Sequence, residues 1–161
     1  MLDVRVGKIV EVWNHPDSEK LFCEKIDVGE AEPREIASGL RAHYTLEQLK
    51  DRSVLVVCNL KAAKLAGFES SGMVFCASSS DKGVVEFVDP PVGAAPGDRM
   101  LTQSEFAAPA TSNQMKKKKF MEKIGAELKT DGEKLATYMG EPLVVGGERC
   151  TAPTVAGGSI S

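Results

Sequence analysis

The stretch Val4-Arg5-Val6-Gly7-Lys8-Ile9-Val10-Glu11-Val12 places apolar side chains at positions 4, 6, 9, 10 and 12, an alternation with one slip after Gly7. A period of two predicts a strand, and a slip beside a glycine predicts that the strand is curved or bulged there. Asn14-His15-Pro16-Asp17 then reads as a turn, and Leu21 to Val28 as a second β-rich run that Gly29 and Pro33 stop. A short strand around Glu35 to Ser38 ends at Gly39. Thr45 is an N-cap candidate for one or two helical turns whose leucines, Leu46 and Leu49, lie three apart. The continuous apolar run Val54 to Cys58 has the length of a buried strand, and Gly72 to Ala77 and Val84 to Val88 read as the last two, separated by the polar turn Ser78 to Gly83. Five or six short strands with one small helix before the fourth describe a mainly β fold. An oligonucleotide-binding (OB) barrel of five strands is the leading candidate, although periodicity alone leaves other small barrels open.

Pro90-Pro91, Gly93, Pro96 and Gly97 punctuate the end of this unit, which gives a barrel over 1–100 and a small α+β extension over 101–161. Within the extension, Ala107 to Asn113 reads as a loop. Phe120, Ile124 and Leu128 recur every four positions beside Met121 and predict a helix with one apolar face and one face of lysines. Leu135 to Tyr138 and Leu143 to Val145 read as short strands around the Gly140-Glu141-Pro142 turn, and the small, polar tail after Cys150 is expected to fray.

A hydrophobic share of 42% and a charged share of 27% are ordinary for a globular protein and argue against a chain disordered throughout. No apolar run approaches the roughly 18 residues of a membrane span. The start of the chain lacks the basic and apolar regions of a signal peptide, so a cytoplasmic location is expected. Opening directly into a strand is also what a piece of a longer chain would do. Cys23, Cys58, Cys76 and Cys150 lie far apart, form no Cys-x-x-Cys pair and mostly sit in apolar stretches, so they read as core thiols and no metal site is expected.

The net charge of −3 is unusual for a nucleic-acid binder, but its distribution is uneven. Glu11 to Glu35 holds eight acids against three bases, whereas Arg52 to Phe68 contains no acid, and Arg41 and Lys50 lie just ahead of it. A second basic block, Lys116, Lys117, Lys118 and Lys119, follows later, so one face of an acidic molecule is able to attract phosphates. His15 and His43 belong to no metal or triad motif, no phosphate-binding glycine loop is present, and neither catalysis nor a cofactor is expected.

A binding surface is easier to assemble. Asn59, Lys61 and Lys64 follow directly on the buried strand ending at Cys58, in a predicted loop that backbone phosphates can reach. Ser70 and Met73 supply a hydroxyl and an adaptable thioether at the entry to the next strand, or simply a turn and a core residue. Phe68 offers a face on which an unpaired base stacks, or else plugs the barrel end; Tyr44 and Trp13 are weaker candidates of the same kind.

Leu2-Asp3-Val4-Arg5-Val6-Gly7-Lys8-Ile9, His15-Pro16-Asp17-Ser18-Glu19-Lys20-Leu21, Asp27-Val28-Gly29, Ser38-Gly39-Leu40, Cys58-Asn59-Leu60-Lys61 and Ser70-Ser71-Gly72-Met73 together resemble the transfer-RNA-binding domain family. Pro96-Gly97-Asp98-Arg99, the lysine block, Ala136-Thr137-Tyr138 and Gly140 extend the likeness to its endothelial monocyte-activating polypeptide II-like subgroup, which includes C-terminal domains of some methionyl- and tyrosyl-tRNA synthetases. The resemblance implies a non-catalytic module that holds tRNA and assists aminoacylation beside a synthetase, fused or in complex. It puts Asn59, Lys61, Lys64, Ser70 and Met73 on the binding surface, to which charge and position add Arg41, Arg52, Phe68 and Lys116 to Lys119. It also implies a monomer, because in this subgroup the extension covers the face that bacterial relatives use to dimerise. Two positions depart from the family pattern: Ala66 stands where an arginine is common, and Ala62 where a proline is. Residues 5–11 resemble a segment linked to cytokine activity, which leaves a secreted signalling role as an alternative, beside RNA-independent docking within a synthetase complex.

Overall fold

The computed structural model describes residues 3–81, 83–102 and 126–160. Strands β1 (Val4–Asn14), β2 (Phe22–Asp27) and β3 (Arg34–Ser38) form an antiparallel meander, followed by the short helix α1 (Leu46–Leu49) and by β4 (Ser53–Val57). Thr45 caps α1 as its sequence predicts: its hydroxyl accepts from the Gln48 N–H, and the Gln48 side chain accepts from the Thr45 N–H. Next come β5 (Ala63–Leu65), β6 (Phe68–Ser70), β7 (Met73–Val74), β8 (Cys76–Ser78) and β9 (Val85–Phe87). The sheet order β3-β2-β1-β4-β7 makes five antiparallel strands. The outer edges meet where the Ser71 N–H donates to the Glu35 carbonyl (2.8 Å) and the Ala37 N–H to the Ser70 hydroxyl (3.0 Å). The result is a nearly closed five-stranded barrel.

The slip in β1 has a different origin from the one its sequence predicts. The bulge lies between Ile9 and Glu11, not at Gly7. Val4 and Val6 face outward into one core, Ile9 faces into the barrel, and the bulge turns Val12 inward as well, so the apolar pattern combines two buried faces with one extra residue. Gly7 serves packing instead. A Cβ there would lie 2.6 Å from Ile26 Cγ2 and 3.2 Å from Val28 and Val56, inside the barrel. A second close approach joins Gly29 to Gly97, both at positive φ, where a Cβ on Gly29 would come within 2.7 Å of the Gly97 Cα. That crossing steers residues 97–100 along the first half of β1, with the Met100 N–H donating to the Val4 carbonyl and the Val6 N–H to the Asp98 carbonyl, both at 2.8 Å.

The extension adds β10 (Leu128–Thr130), β11 (Ala136–Tyr138), β12 (Glu141–Pro142), β13 (Val144–Val145), β14 (Glu148–Arg149) and β15 (Ser159–Ile160). One sheet of order β12-β11-β10-β15-β8-β9 carries the barrel's β8–β9 hairpin into it. A shared core results: Val4, Val6, Leu55, Val57, Phe75 and Met100 pack with Leu128, Tyr138, Leu143, Cys150 and Ile160.

Three expectations need correction. Leu128 does not continue a helix: it opens β10 opposite Tyr138, and the pattern Leu128 buried, Lys129 exposed, Thr130 buried has a strand's period. The rest of that expected helix, and the expected loop over Ala107 to Asn113, lie outside the described residues. The tail does not fray, because Ser159 and Ile160 pair with β8, and three donors from Thr154 and Val155 converge on the buried Glu86 carboxylate at 2.6 to 3.0 Å. The segment after Asn59 is not all loop, since Lys64 and Phe68 stand on the β5–β6 hairpin. All four cysteines are buried and unpaired, as expected.

Glu24 is fully buried inside the barrel, where the Ser38 hydroxyl donates to one carboxyl oxygen and the other has no hydrogen-bond partner among the described residues. Burial raises its pKa from 4.5 to about 8, against a smaller lowering by Ser38. Between those values the folded chain holds a proton that the unfolded chain has released. This contribution to stability is therefore complete below pH 4.5 and lost as pH rises through about 8. One such proton gives a slope approaching ~1.4 kcal/mol per pH unit. Glu24→Gln should flatten the fall in urea midpoint across this window, and an unchanged pH profile would remove Glu24 from the account.

Candidate nucleic-acid interface

Strand β4 ends at Val57, and the chain leaves the barrel through Cys58 and Asn59 before returning at Ser70. Asn59 is 9% exposed, and its side-chain carbonyl accepts from the Asp3 N–H at 3.0 Å. The Ser70 hydroxyl accepts from Ala37 and donates to the Gly72 carbonyl, both at 3.0 Å, while the residue is only 5% exposed. These two residues tie the ends of the segment down. Met73 is partly buried against the shared core.

Arg34 is a residue that sequence reasoning passed over. Its Nη1 donates to the carbonyls of Cys58 (2.7 Å) and Ser71 (2.9 Å), the two points between which the hairpin segment is strung. Glu30 holds the guanidinium from behind with a bidentate pair at 2.7 and 2.9 Å, which keeps its own carboxyl below the usual range. Nothing in the acid-rich surroundings of Arg34 marks it for this task, because the carbonyls it binds lie 24 and 37 residues away.

Between these anchors the β5–β6 hairpin turns at Ala66 and Gly67, both with positive φ (50° and 83°), as two-residue hairpins require. Its register sets what each face carries. Lys64 lies opposite Glu69 on one face, while Ala63, Leu65, Phe68 and Ser70 share the other, on which Ser70 is buried, Phe68 partly covered, and Ala63 and Leu65 exposed. Lys61 and Lys64 are exposed, and neither ammonium forms an ion pair among the described residues. Phe68 is half-covered: its ring meets those of Trp13 and His15 edge-on, with centroids 6.1 and 6.2 Å apart.

Among the described residues, the other basic candidates, Arg41 and Arg52, make their contacts with residues outside the hairpin. Arg41 donates to the Ser18 carbonyl at 2.9 Å and lines an open 460 Å³ hollow with Asn14, Phe22, Tyr44 and Glu47. Arg52 pairs with Asp89 at 3.2 Å and sits over the rings of Tyr44 and Phe87, at 5.4 and 5.0 Å from their centroids. That contact holds the barrel rim. Lys116 to Lys119 lie outside the described residues. The buried thiols are poor nucleophiles, since burial pushes Cys58 up to about 11 and Cys76 up to about 12. No group of three potential metal ligands occurs among the described residues.

Comparison with known proteins places this geometry. The chain is 45% identical over 161 residues to a cytoplasmic tyrosine–tRNA ligase of Danio rerio, covering 99% of this chain and 30% of that protein. It is 46% identical over 160 residues to an aminoacyl tRNA synthase complex-interacting multifunctional protein 1 of Cricetulus griseus, covering 99% and 44%. The chain thus spans less than half of these relatives. The crystal structure of the C-terminal domain of Plasmodium vivax p43 superposes with a TM-score of 0.91 at 34% identity, covering 99% of this chain and 96% of that one. The family model described as a putative tRNA binding domain matches residues 4–99, the barrel and the hairpin with it. With that match over more than half its length, the chain belongs to the tRNA-binding domain family.

Proposed function

We propose that this chain is a non-catalytic module that binds transfer RNA and serves an aminoacyl-tRNA synthetase, as an appended domain or an associated subunit, by raising the local concentration of substrate. The observation that carries the reading is a segment anchored at both ends that presents Lys61 ahead of its hairpin and Lys64 on it, two exposed cations without an ion-pair partner among the described residues. Family membership supports RNA as the ligand, and kinship with a cytoplasmic tyrosine–tRNA ligase and a synthase complex-interacting protein supports a synthetase as the partner and the cytoplasm as the location. In this reading Lys61 and Lys64 meet phosphates, Phe68 and Met73 add apolar contact, and Asn59 and Ser70 hold the segment in shape. Arg41 and Lys116 to Lys119 are further candidate phosphate contacts by their charge, whereas the rim contacts of Arg52 leave it a lesser part.

A signalling role through residues 5–11 gains no support from the fold, because β1 pairs with β4 over Val4 to Lys8 and with β2 beyond. The extension covers Val4, Val6, Leu55 and Val57, which supports a unit that works as a monomer.

Wild-type protein should retard bulk tRNA on a gel at low salt, and Lys61→Ala with Lys64→Ala should weaken retention. The double variant should also lower the slope of log K against log salt by about 1–2, the share of two phosphate contacts. No retention by the wild type would defeat the reading. Arg34→Ala should cost tRNA affinity without adding to the double lysine variant, because it acts through the hairpin. Full additivity would instead make Arg34 a direct phosphate contact. Gel filtration should give the mass of one chain, and a dimer would contradict the covered face.

A further inference from the structure

The core leaves one aromatic cluster unabsorbed. Phe22, Phe75 and Phe87 are buried, but Trp13 and Phe68 remain partly exposed around the buried His15. Phe68 meets Trp13 at an interplanar angle of 77° and His15 at 73°, so both contacts are edge-on and leave ring faces that the partner ring does not cover. With Pro16, Asp17, Cys23, Ala66 and Gly67, these rings line a cavity of about 260 Å³ between the end of β1 and the tip of the β5–β6 hairpin.

The walls are held in place from both sides. The His15 N–H donates to the Leu21 carbonyl (3.1 Å), and His15 Nδ1 accepts from the Asp17 N–H (2.9 Å), which stiffens the turn behind the cavity. In front, the left-handed pair Ala66 and Gly67 and the Leu65–Phe68 register set the position of the Phe68 ring. The slot is therefore formed before any ligand arrives, so little ordering cost attends its use. It is small for a drug-sized ligand and aromatic on several sides, with the acceptor-only carboxylate of Asp17 among its lining residues. A flat ring carrying N–H donors along one edge matches that lining.

We infer that this slot takes a single unpaired nucleobase of the bound RNA, stacked against Trp13 or Phe68, with a ring N–H or exocyclic amino group toward Asp17. The inference rests on the RNA-binding reading and deepens it. Lys64 stands on the opposite face of the same hairpin, so a strand crossing the tip meets a cation on one side and aromatic rings on the other.

Trp13 is the only tryptophan of the chain, so its emission reports on the slot alone. Titration of the 161-residue chain with tRNA should quench Trp13 emission, whereas a fully paired, blunt RNA duplex of matched phosphate count should bind through the lysines and leave it unmoved. Phe68→Leu keeps apolar volume against Trp13 but removes the ring. It should lower the ratio of tRNA to duplex affinity about tenfold, in line with ~1–3 kcal/mol per stacked base, while Lys61→Ala with Lys64→Ala lowers both affinities and preserves the ratio. Retention of tRNA with unchanged Trp13 emission, or an unchanged ratio in Phe68→Leu, overturns the slot and leaves RNA binding standing. Failure of the wild type to hold either RNA overturns the RNA-binding reading and the slot with it.

Discussion

Strand β4 is apolar on both faces, and the rest of the architecture answers that constraint. Val54 and Val56 point into the barrel, where they meet Ile9, Ile26 and Ile36, while Leu55 and Val57 point outward. A five-stranded barrel standing alone would leave the outward pair in water together with Val4 and Val6. At roughly 25 cal/mol per Å² of apolar surface, covering four such side chains is worth several kcal/mol. The extension supplies the cover through Leu128, Tyr138, Leu143 and Ile160, and is held to the barrel by the sheet that runs from β12 to β9. Barrel and extension are thus bound by a common core rather than by a linker.

This arrangement explains which parts of the fold could be read from the amino acids. The elements with local signatures were legible: Thr45 is an N-cap candidate just ahead of two leucines three apart, and Val54 to Cys58 is an apolar run of a buried strand's length. What failed depends on partners remote in sequence. The slip in β1 looks like a bulge at Gly7 because one-dimensional alternation cannot tell two buried faces from one face with an insertion. Leu128 looks helical because it lies four residues from Ile124, whereas its burial comes from Tyr138 across a strand pair. The tail looks loose because its anchor, Glu86, lies 68 residues from Thr154.

The candidate site was legible to a similar degree. Lys61 and Lys64 stand out in an acid-free stretch, and the exit from β4 locates them. The hairpin did not stand out, since Ala66 gives no sign that it will adopt positive φ beside Gly67. Nor did the bonds of Asn59 to Asp3 and of Ser70 to Ala37, which tie down the two ends of the segment and join residues remote in sequence. Phe68 was marked as a stacking platform or a plug. In the structure its ring is half-covered by Trp13 and His15 and lines a cavity.

Cation chemistry is divided in a way that resolves the oddity of an acidic binder. Arg5 pairs with Asp3, Arg34 with Glu30 and Arg52 with Asp89, and each guanidinium uses its planar fork or its face to hold carboxylates, carbonyls or rings. These pairs consume arginines and acids together, so they add little to the field outside the protein. Lys61 and Lys64, whose ammonium groups suit point contacts with phosphate more than shaped structural bonds, remain exposed just ahead of the hairpin and on it. Much of the acidic excess lies between Glu11 and Glu35, where Glu30 is held by Arg34, Glu11 by Lys25, and Glu24 lies inside the barrel. A net charge of −3 is therefore compatible with a locally positive edge, where Lys61 and Lys64 outnumber Glu69, because attraction within about a Debye length of ~10 Å is set by the charges that lie there and not by the molecular sum.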